Sequence, residues 1–152
     1  TDSVQLVVQG ATVKPEDGEL FESIIKKYSK YSNIKFIHAS LIGKDWDAAL
    51  MSVDALLLPY GAERYRYHWA AMLFTAIGFY KPVLISPEIN PEVLEKYSIG
   101  EVLNLDDVNT IAQGISKFVG NLQHHKEIYN QGLVDANKDY SHKRLIQSVI
   151  YV

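Results

Sequence analysis

Cysteine is absent from all 152 residues. Disulfides, thiolate zinc sites and thiol nucleophiles are thereby excluded. Long apolar runs are absent as well. None approaches the ~20 residues that span a bilayer, and the longest is broken at Gly78 and again at Lys81-Pro82. Charge of one sign is not in excess: 15 Lys and Arg stand against 18 Asp and Glu, a net charge of −3. A dedicated nucleic-acid domain carries a strong basic surplus, so nucleic acid is not an expected partner. There is no internal repeat and no low-complexity stretch. No secretory signal is visible, and the chain opens on Thr1 rather than Met. A piece of a longer or processed protein of cytoplasmic origin is expected.

What remains is an ordinary globular composition, 47% hydrophobic and 22% charged. One domain is expected at roughly 100–200 residues per domain, with a core that needs no covalent staples.

Val4–Gln9 reads as a strand stopped by Gly10, and Asn33–His38 as a second. Between them Leu20, Phe21, Ile24, Ile25 and Tyr28 recur at helical spacing. Trp46, Ala49, Leu50 and Val53 mark a short second helix. Ala55–Leu58 is continuously apolar, as a strand buried on both faces must be. Tyr60–Tyr67 is a polar, aromatic loop, and His68–Phe79 a buried helix. Pro82–Ser86 and Glu101–Leu105 are short strands on either side of a helix over Pro91–Tyr97. Asp106 and Asp107 offer caps to a helix whose apolar face runs from Val108 to Leu122. Asn121–Asp139 is polar and helical, and Ser141 caps a last helix carrying Leu145, Ile146, Val149 and Ile150.

Strand and helix alternate about five times. The expected fold is α/β, a doubly wound parallel sheet of Rossmann-like type with helices on both faces. Ligands of such sheets bind at the carboxyl ends of the strands, here the loops after Gln9, His38, Pro59 and Ser86.

One block is more specific. Val53-Asp54-Ala55-Leu56-Leu57-Leu58-Pro59-Tyr60 is followed by a loop, an apolar helix, Lys81-Pro82-Val83-Leu84-Ile85-Ser86 and Pro91-Glu92-Val93. In order and spacing it resembles the donor-binding half of GT-B glycosyltransferases, in particular the retaining group that includes glycogen and sucrose synthases. Leu73–Val83 matches that group's helix and "GKPV" turn, with Tyr80 in place of the glycine. Gly100–Leu105 matches its last strand, and Tyr140-Ser141-His142 the start of its terminal helix. The resemblance implies transfer of a sugar from a nucleotide-sugar, most often UDP- or GDP-linked, to a glycan, polysaccharide or lipid-linked acceptor. It implies no metal and no other cofactor. It also implies a cytoplasmic, membrane-peripheral bacterial enzyme whose acceptor domain lies outside this chain, leaving the isolated domain inactive.

Two departures bear on chemistry. The group's glutamate pair falls at Tyr67 and Thr75, neither acidic, and Glu63 is the only carboxylate in the loop. The group's preceding strand and helix, with a phosphate-binding Arg and Lys, have no counterpart before Gly10. No catalytic residue is assigned. The donor-binding candidates are Gly10, Pro59, Tyr60, Glu63, Arg64, Arg66, Tyr67, His68, Thr75, Ser86 and Glu88. The arginines suit phosphate, the tyrosines suit a base or sugar face, and His68 is expected to open a helix whose N-terminus takes the diphosphate. Each has an ordinary alternative: a solvated loop, a turn glycine, a strand stop. Asp45-Trp46-Asp47 resembles a metal motif but falls on an amphipathic helix with its carboxylates outward, and His124-His125 is too close-set to chelate. Gln9-Gly10-Ala11-Thr12 is neither a dinucleotide fingerprint nor an acidic phosphoacceptor cluster. Ser40, Ser52 and Ser86 lack the setting of a hydrolase nucleophile. The competing expectation is a degenerate, non-catalytic module used for protein interaction.

Overall fold

The computed structural model describes residues 4–150, apart from the side chains of Leu145, Ser148 and Val149. The chain divides between Ala49 and Leu50 into two compact units.

The first unit holds strand β1 (Leu6–Gly10), helix α1 (Pro15–Tyr28) and strand β2 (Ile34–His38), and most of helix α2 (Lys44–Met51). The strands pair in parallel from Leu6↔Ile34 to Gly10↔His38. Gly10 is thus the last paired residue of β1, and Val4 stands outside the strand. Helix α1 begins five residues before its first apolar residue. Pro15 supplies the fixed φ of a first turn, Glu16 and Asp17 sit at its positive end, and Lys26 and Lys27 at the other. Phe21, Ile24 and Ile25 are half-buried, whereas Leu20, expected on the same face, is exposed. The His38 ring lies 4.5 Å from Phe21, with Nδ1 2.6 Å from Glu22 Oε1 and Nε2 3.0 Å from Thr12 Oγ1. A carboxylate only accepts, so Nδ1 carries a proton and donates to Glu22. In α2, Trp46 is half-buried and Asp45 and Asp47 are exposed, as the helical reading requires.

The second unit is built on strands β3 (Leu56–Leu58), β4 (Val83–Ile85) and β5 (Gly100–Val102), all parallel in the order β3-β4-β5. The hydrogen-bonded ladders therefore form two sheets, of two and three strands. Helices α3 (Ala71–Gly78), α4 (Pro91–Lys96), α5 (Val108–His124), α6 (Lys126–Asp139) and α7 (His142–Ile150) complete the unit. Alternation along the strands sorts the core into two layers. Val83 and Ile85 face Leu73 and Ile77 of α3, Val93 of α4, and Leu133 and Ala136 of α6. Leu84 faces the other way, onto Leu103, Phe118 of α5 and Tyr129. Helices thus cover both faces of the three-stranded sheet.

Caps open two helices where the sequence places them. Asp107 accepts from the backbone N–H groups of Asn109 (2.8 Å) and Thr110 (3.1 Å). Ser141 Oγ accepts from Arg144 N. Of the apolar residues expected along α7, Ile146 and Ile150 are exposed, and the side chains of Leu145 and Val149 lie outside the described residues.

Two glycines permit backbone approach that no other residue allows. A Cβ at Gly100 would lie 1.9 Å from the Val83 carbonyl oxygen, and one at Gly132 would lie 2.3 Å from that of Ser98. Gly120, exposed on α5, meets nothing within 4 Å. Gly132→Ala is expected to destabilise the protein by about 3 kcal/mol, through forced separation of α6 from the α4–β5 connection. Gly120→Ala should stabilise it by about 0.5–1 kcal/mol, the helix-propensity gain alone. Urea midpoints of the two variants measure both.

One polar knot joins β5 to α5 and α6. Glu101 Oε1 accepts from Asn121 Nδ2 (2.7 Å) and from the Tyr129 hydroxyl (2.9 Å). Burial pushes the Glu101 carboxyl up, but those hydrogen bonds and the charges of Lys117 and His125 outweigh it and leave it below its ordinary value. A carboxyl depressed by folding stabilises above its unfolded pKa of about 4.3 and loses that contribution as pH falls through the folded value. Tyr129→Phe is expected to cost about 1–2 kcal/mol at pH 7 and to shallow the acid limb of the stability–pH profile. Urea denaturation from pH 7 to pH 3 checks both.

Candidate functional site

The carboxyl ends of β3 and β4 are laced together by Ser86. Its backbone N–H donates to the Leu58 carbonyl (3.2 Å) and its buried hydroxyl to the Tyr60 carbonyl (2.8 Å). The chain after β3 turns at the exposed Pro59 and at Gly61, then winds into a 3₁₀ turn over Glu63–Tyr67. That turn is anchored by an aromatic stack, Tyr65 on Tyr60 with centroids 4.9 Å apart. Burial, with Tyr65 adding to it, raises the Tyr60 phenol above its ordinary value. Arg64 is spent on the same stack: its Nη2 donates to the Tyr65 hydroxyl (3.1 Å) and its guanidinium lies 5.0 Å from that ring's centroid.

Arg66 faces elsewhere. With Gly61, Glu63 and Glu88 it lines an open cleft of about 260 Å³. Glu88 is carried on the turn after β4, which is held at both ends. Ile89 is buried and its N–H donates to the Ser86 carbonyl (3.2 Å). Asn90 is buried in the left-handed region (φ 38°), which Asn tolerates better than most residues. Its Oδ1 accepts from Ala70 N (3.1 Å) and its Nδ2 donates to Glu92 Oε1 (3.1 Å). Glu88 Oε2 is buried without a hydrogen-bond partner.

The structure brings Glu63, Arg66 and Glu88 together and places Tyr60 and Ser86 beneath them as supports. Within the second unit it does not gather the rest. Gly10 belongs to the first unit, with φ outside the left-handed region. Tyr67 is 80% exposed and His68 is exposed, and neither lines the cleft. The helix expected to open at His68 opens at Ala71 instead. His68 and Ala70 are in extended conformation, and the Ala70 N–H is already held by Asn90. His68 is therefore no part of a helix N-terminus. Trp69 is 69% exposed and packs on Phe74 (4.7 Å). The Thr75 hydroxyl donates back to the Ala71 carbonyl within its own helix (2.9 Å). Asn90 and Gly61 were not singled out from the sequence. An Asn before Pro-Glu and a Gly after a strand are turn signals, but their part in shaping a cleft is a tertiary fact.

Chemically the cleft offers one guanidinium and two carboxylates. The first suits an anion held bidentately, and the others suit hydroxyl or amine donors. Among the described residues no three His, Asp or Glu side chains come together to hold a metal ion. Among the described residues no helix is long and apolar enough to cross a membrane.

The end of α3 explains one oddity of the sequence. Tyr80 has φ 54°, with its N–H on the Ile77 carbonyl (3.2 Å) and that of Lys81 on the Ala76 carbonyl (2.9 Å). This left-handed exit suits glycine, the residue that the glycosyltransferase pattern has there. The Lys81 side chain then ties the end of α2 to the approach of β3, its Nζ donating to the carbonyls of Met51 (3.2 Å) and Val53 (2.6 Å).

No protein-family model and no curated protein matches this chain.

Tyr80→Gly is expected to stabilise the protein by about 0.5–1 kcal/mol, the relief of a left-handed side chain less the extra entropy of an unfolded glycine. The gain should appear in the urea midpoint, since half-exposed Tyr80 buries little.

Proposed function

We propose that residues 50–150 form the nucleotide-sugar-binding module of a GT-B-type glycosyltransferase. Its donor is a UDP- or GDP-sugar, and its acceptor is a glycan, polysaccharide or lipid-linked hydroxyl presented by another part of the enzyme. One observation carries the reading. The block whose motif order resembles that family forms a parallel strand–helix–strand unit, and the carboxyl ends of its strands border a cleft holding Arg66, Glu63 and Glu88. This is where ligands of parallel α/β sheets bind. The left-handed backbone at Tyr80 lends further support.

In this reading Arg66 takes a phosphate oxygen pair and the carboxylates take hydroxyls. The Tyr60–Tyr65 stack holds the loop in place so that little ordering entropy is lost on binding. A second reading, a non-catalytic interaction module, draws on exposed Tyr67 and Trp69 and on the missing helix carboxylate at Thr75.

The test is an NMR titration with UDP, GDP, ADP, CMP and UDP- and GDP-sugars at millimolar concentration. Saturable shifts within residues 60–66 and 86–90 are expected for one base, with Arg66→Ala weakening binding about tenfold or more. Shifts with no nucleotide at all reject donor binding and leave the interaction module.

A further inference from the structure

The first unit holds a relay of polar side chains that plays no part in the reading above. His38 ends β2, with its ring packed 4.5 Å from that of Phe21. Its Nδ1 donates to Glu22 Oε1 on α1 (2.6 Å), and its Nε2 lies 3.0 Å from Thr12 Oγ1. In the neutral ring Nε2 is an acceptor, and the partner it meets is a hydroxyl. A hydroxyl within reach of an imidazole that is itself oriented by a carboxylate is the arrangement of nucleophile, base and orienting acid used in covalent catalysis.

The three groups come from three elements, and the backbone fixes their places. The Gly10 carbonyl accepts from Ala39 N–H (3.0 Å), and Gln9 Nε2 donates to the Ala39 carbonyl (2.8 Å), so the ends of β1 and β2 are tied together. Thr12 follows β1 by two residues and rests on the start of α1, its Oγ1 3.4 Å from where a Cβ at Gly18 would stand. Glu22 lies about one turn further along that helix. The relay thus sits at the carboxyl ends of two parallel strands, where α/β sheets bind ligands. It is open to a substrate: Thr12 is half-buried, and the His38 and Glu22 side chains are 25% and 63% exposed. Among the described residues no Lys or Arg pairs with Glu22, so its carboxylate is committed to His38.

We infer that Thr12, His38 and Glu22 form an acyl-transfer site whose nucleophile is the Thr12 hydroxyl. Oγ1 forms a bond to the carbonyl carbon of an ester while His38 Nε2 takes its proton. The bond from that carbon to the alcohol oxygen breaks, and His38 returns the proton to the departing oxygen. Water, giving its proton to the same nitrogen, then cleaves the acyl-threonine to the carboxylic acid and restores the hydroxyl. Solvent around Glu22 screens its charge, so activation is modest. The substrate class is therefore a carboxylic ester with a readily expelled alcohol rather than an amide.

The test uses p-nitrophenyl acetate and a fluorophosphonate, with the whole chain and its Thr12→Val, Thr12→Ser and His38→Gln variants. The fluorophosphonate traps a nucleophilic hydroxyl by forming a P–O bond and releasing fluoride, and peptide mass mapping locates it. The wild-type chain is expected to carry the label on Thr12. Thr12→Val should lose it and fall to background release of p-nitrophenolate. Thr12→Ser should retain both activities, and His38→Gln should slow both by about tenfold or more. Urea midpoints of the same variants separate chemistry from packing, because a relay that only joins β2 to α1 shifts the midpoints without any label on Thr12. Absence of label from Thr12 in the wild-type chain overturns the inference, whatever the variants' stability. So does His38→Gln labelling at the wild-type rate. Neither result bears on the nucleotide-sugar reading, which concerns the second unit.

Discussion

The second unit depends on the burial of β4 on both faces. Val83, Leu84 and Ile85 are all almost fully enclosed, so this three-residue strand has no face left for water. Its backbone groups must find partners in β3 and β5, because an unpaired buried amide costs as much as a hydrogen bond is worth. Its side chains must be covered from two directions at once. That demand accounts for the parallel crossings, since a helix has to follow each strand to supply cover. It also accounts for the glycine at 100, where β5 lies against the Val83 carbonyl too closely for any Cβ.

The same constraint reaches the site. A strand of three residues ends abruptly, and the next residue, Ser86, is still buried. A buried hydroxyl needs a partner, and it finds the Tyr60 carbonyl at the end of the neighbouring strand. The carboxyl edge of the sheet thereby becomes a fixed platform rather than two loose loops. Turns on that platform are held by bonds of their own, Tyr65 N–H to the Ala62 carbonyl and Ile89 N–H to the Ser86 carbonyl. Asn90 is the clearest case: its side chain closes the start of α3 and the start of α4 while its backbone adopts a left-handed turn. Glu88 sits within that turn.

Much of the fold was legible in the residues. The unbroken Leu56-Leu57-Leu58 run reads as a strand buried on both faces, of which the structure fully buries only Leu58; Val83-Leu84-Ile85 reads as a short strand and is the one enclosed throughout, and Asp107, Pro91 and Ser141 mark helix starts that the structure places there. The start of α3 was not legible. The segment from Trp69 to Phe79 is apolar nearly throughout, so periodicity carries no phase, and the helix begins where Asn90, twenty residues later, reaches Ala70. The start of α1 was missed for the opposite reason, since Pro15, Glu16 and Asp17 of its first turn are exposed and carry no apolar period. Among the candidate ligand residues, sequence alone gave Arg64 and Arg66 equal standing. The stack of Tyr65 on Tyr60 separates them by engaging one and leaving the other to the cleft. That is a contest between side chains, and no local pattern records its outcome.

The residues that carry the family resemblance and those that would carry its chemistry are largely different residues. The strand-ending proline, the Lys81-Pro82 turn and the left-handed position at Tyr80 answer demands of the backbone. A chain can keep them for as long as it keeps the fold. The glutamate pair answers a demand of the ligand, and here it is absent at Tyr67 and Thr75. Motif order therefore argues for architecture, whereas function has to be argued at the cleft itself. What the cleft holds, among the described residues, is a guanidinium without a carboxylate partner and a carboxylate with one oxygen that has no donor. Both are groups that a ligand of complementary charge can engage.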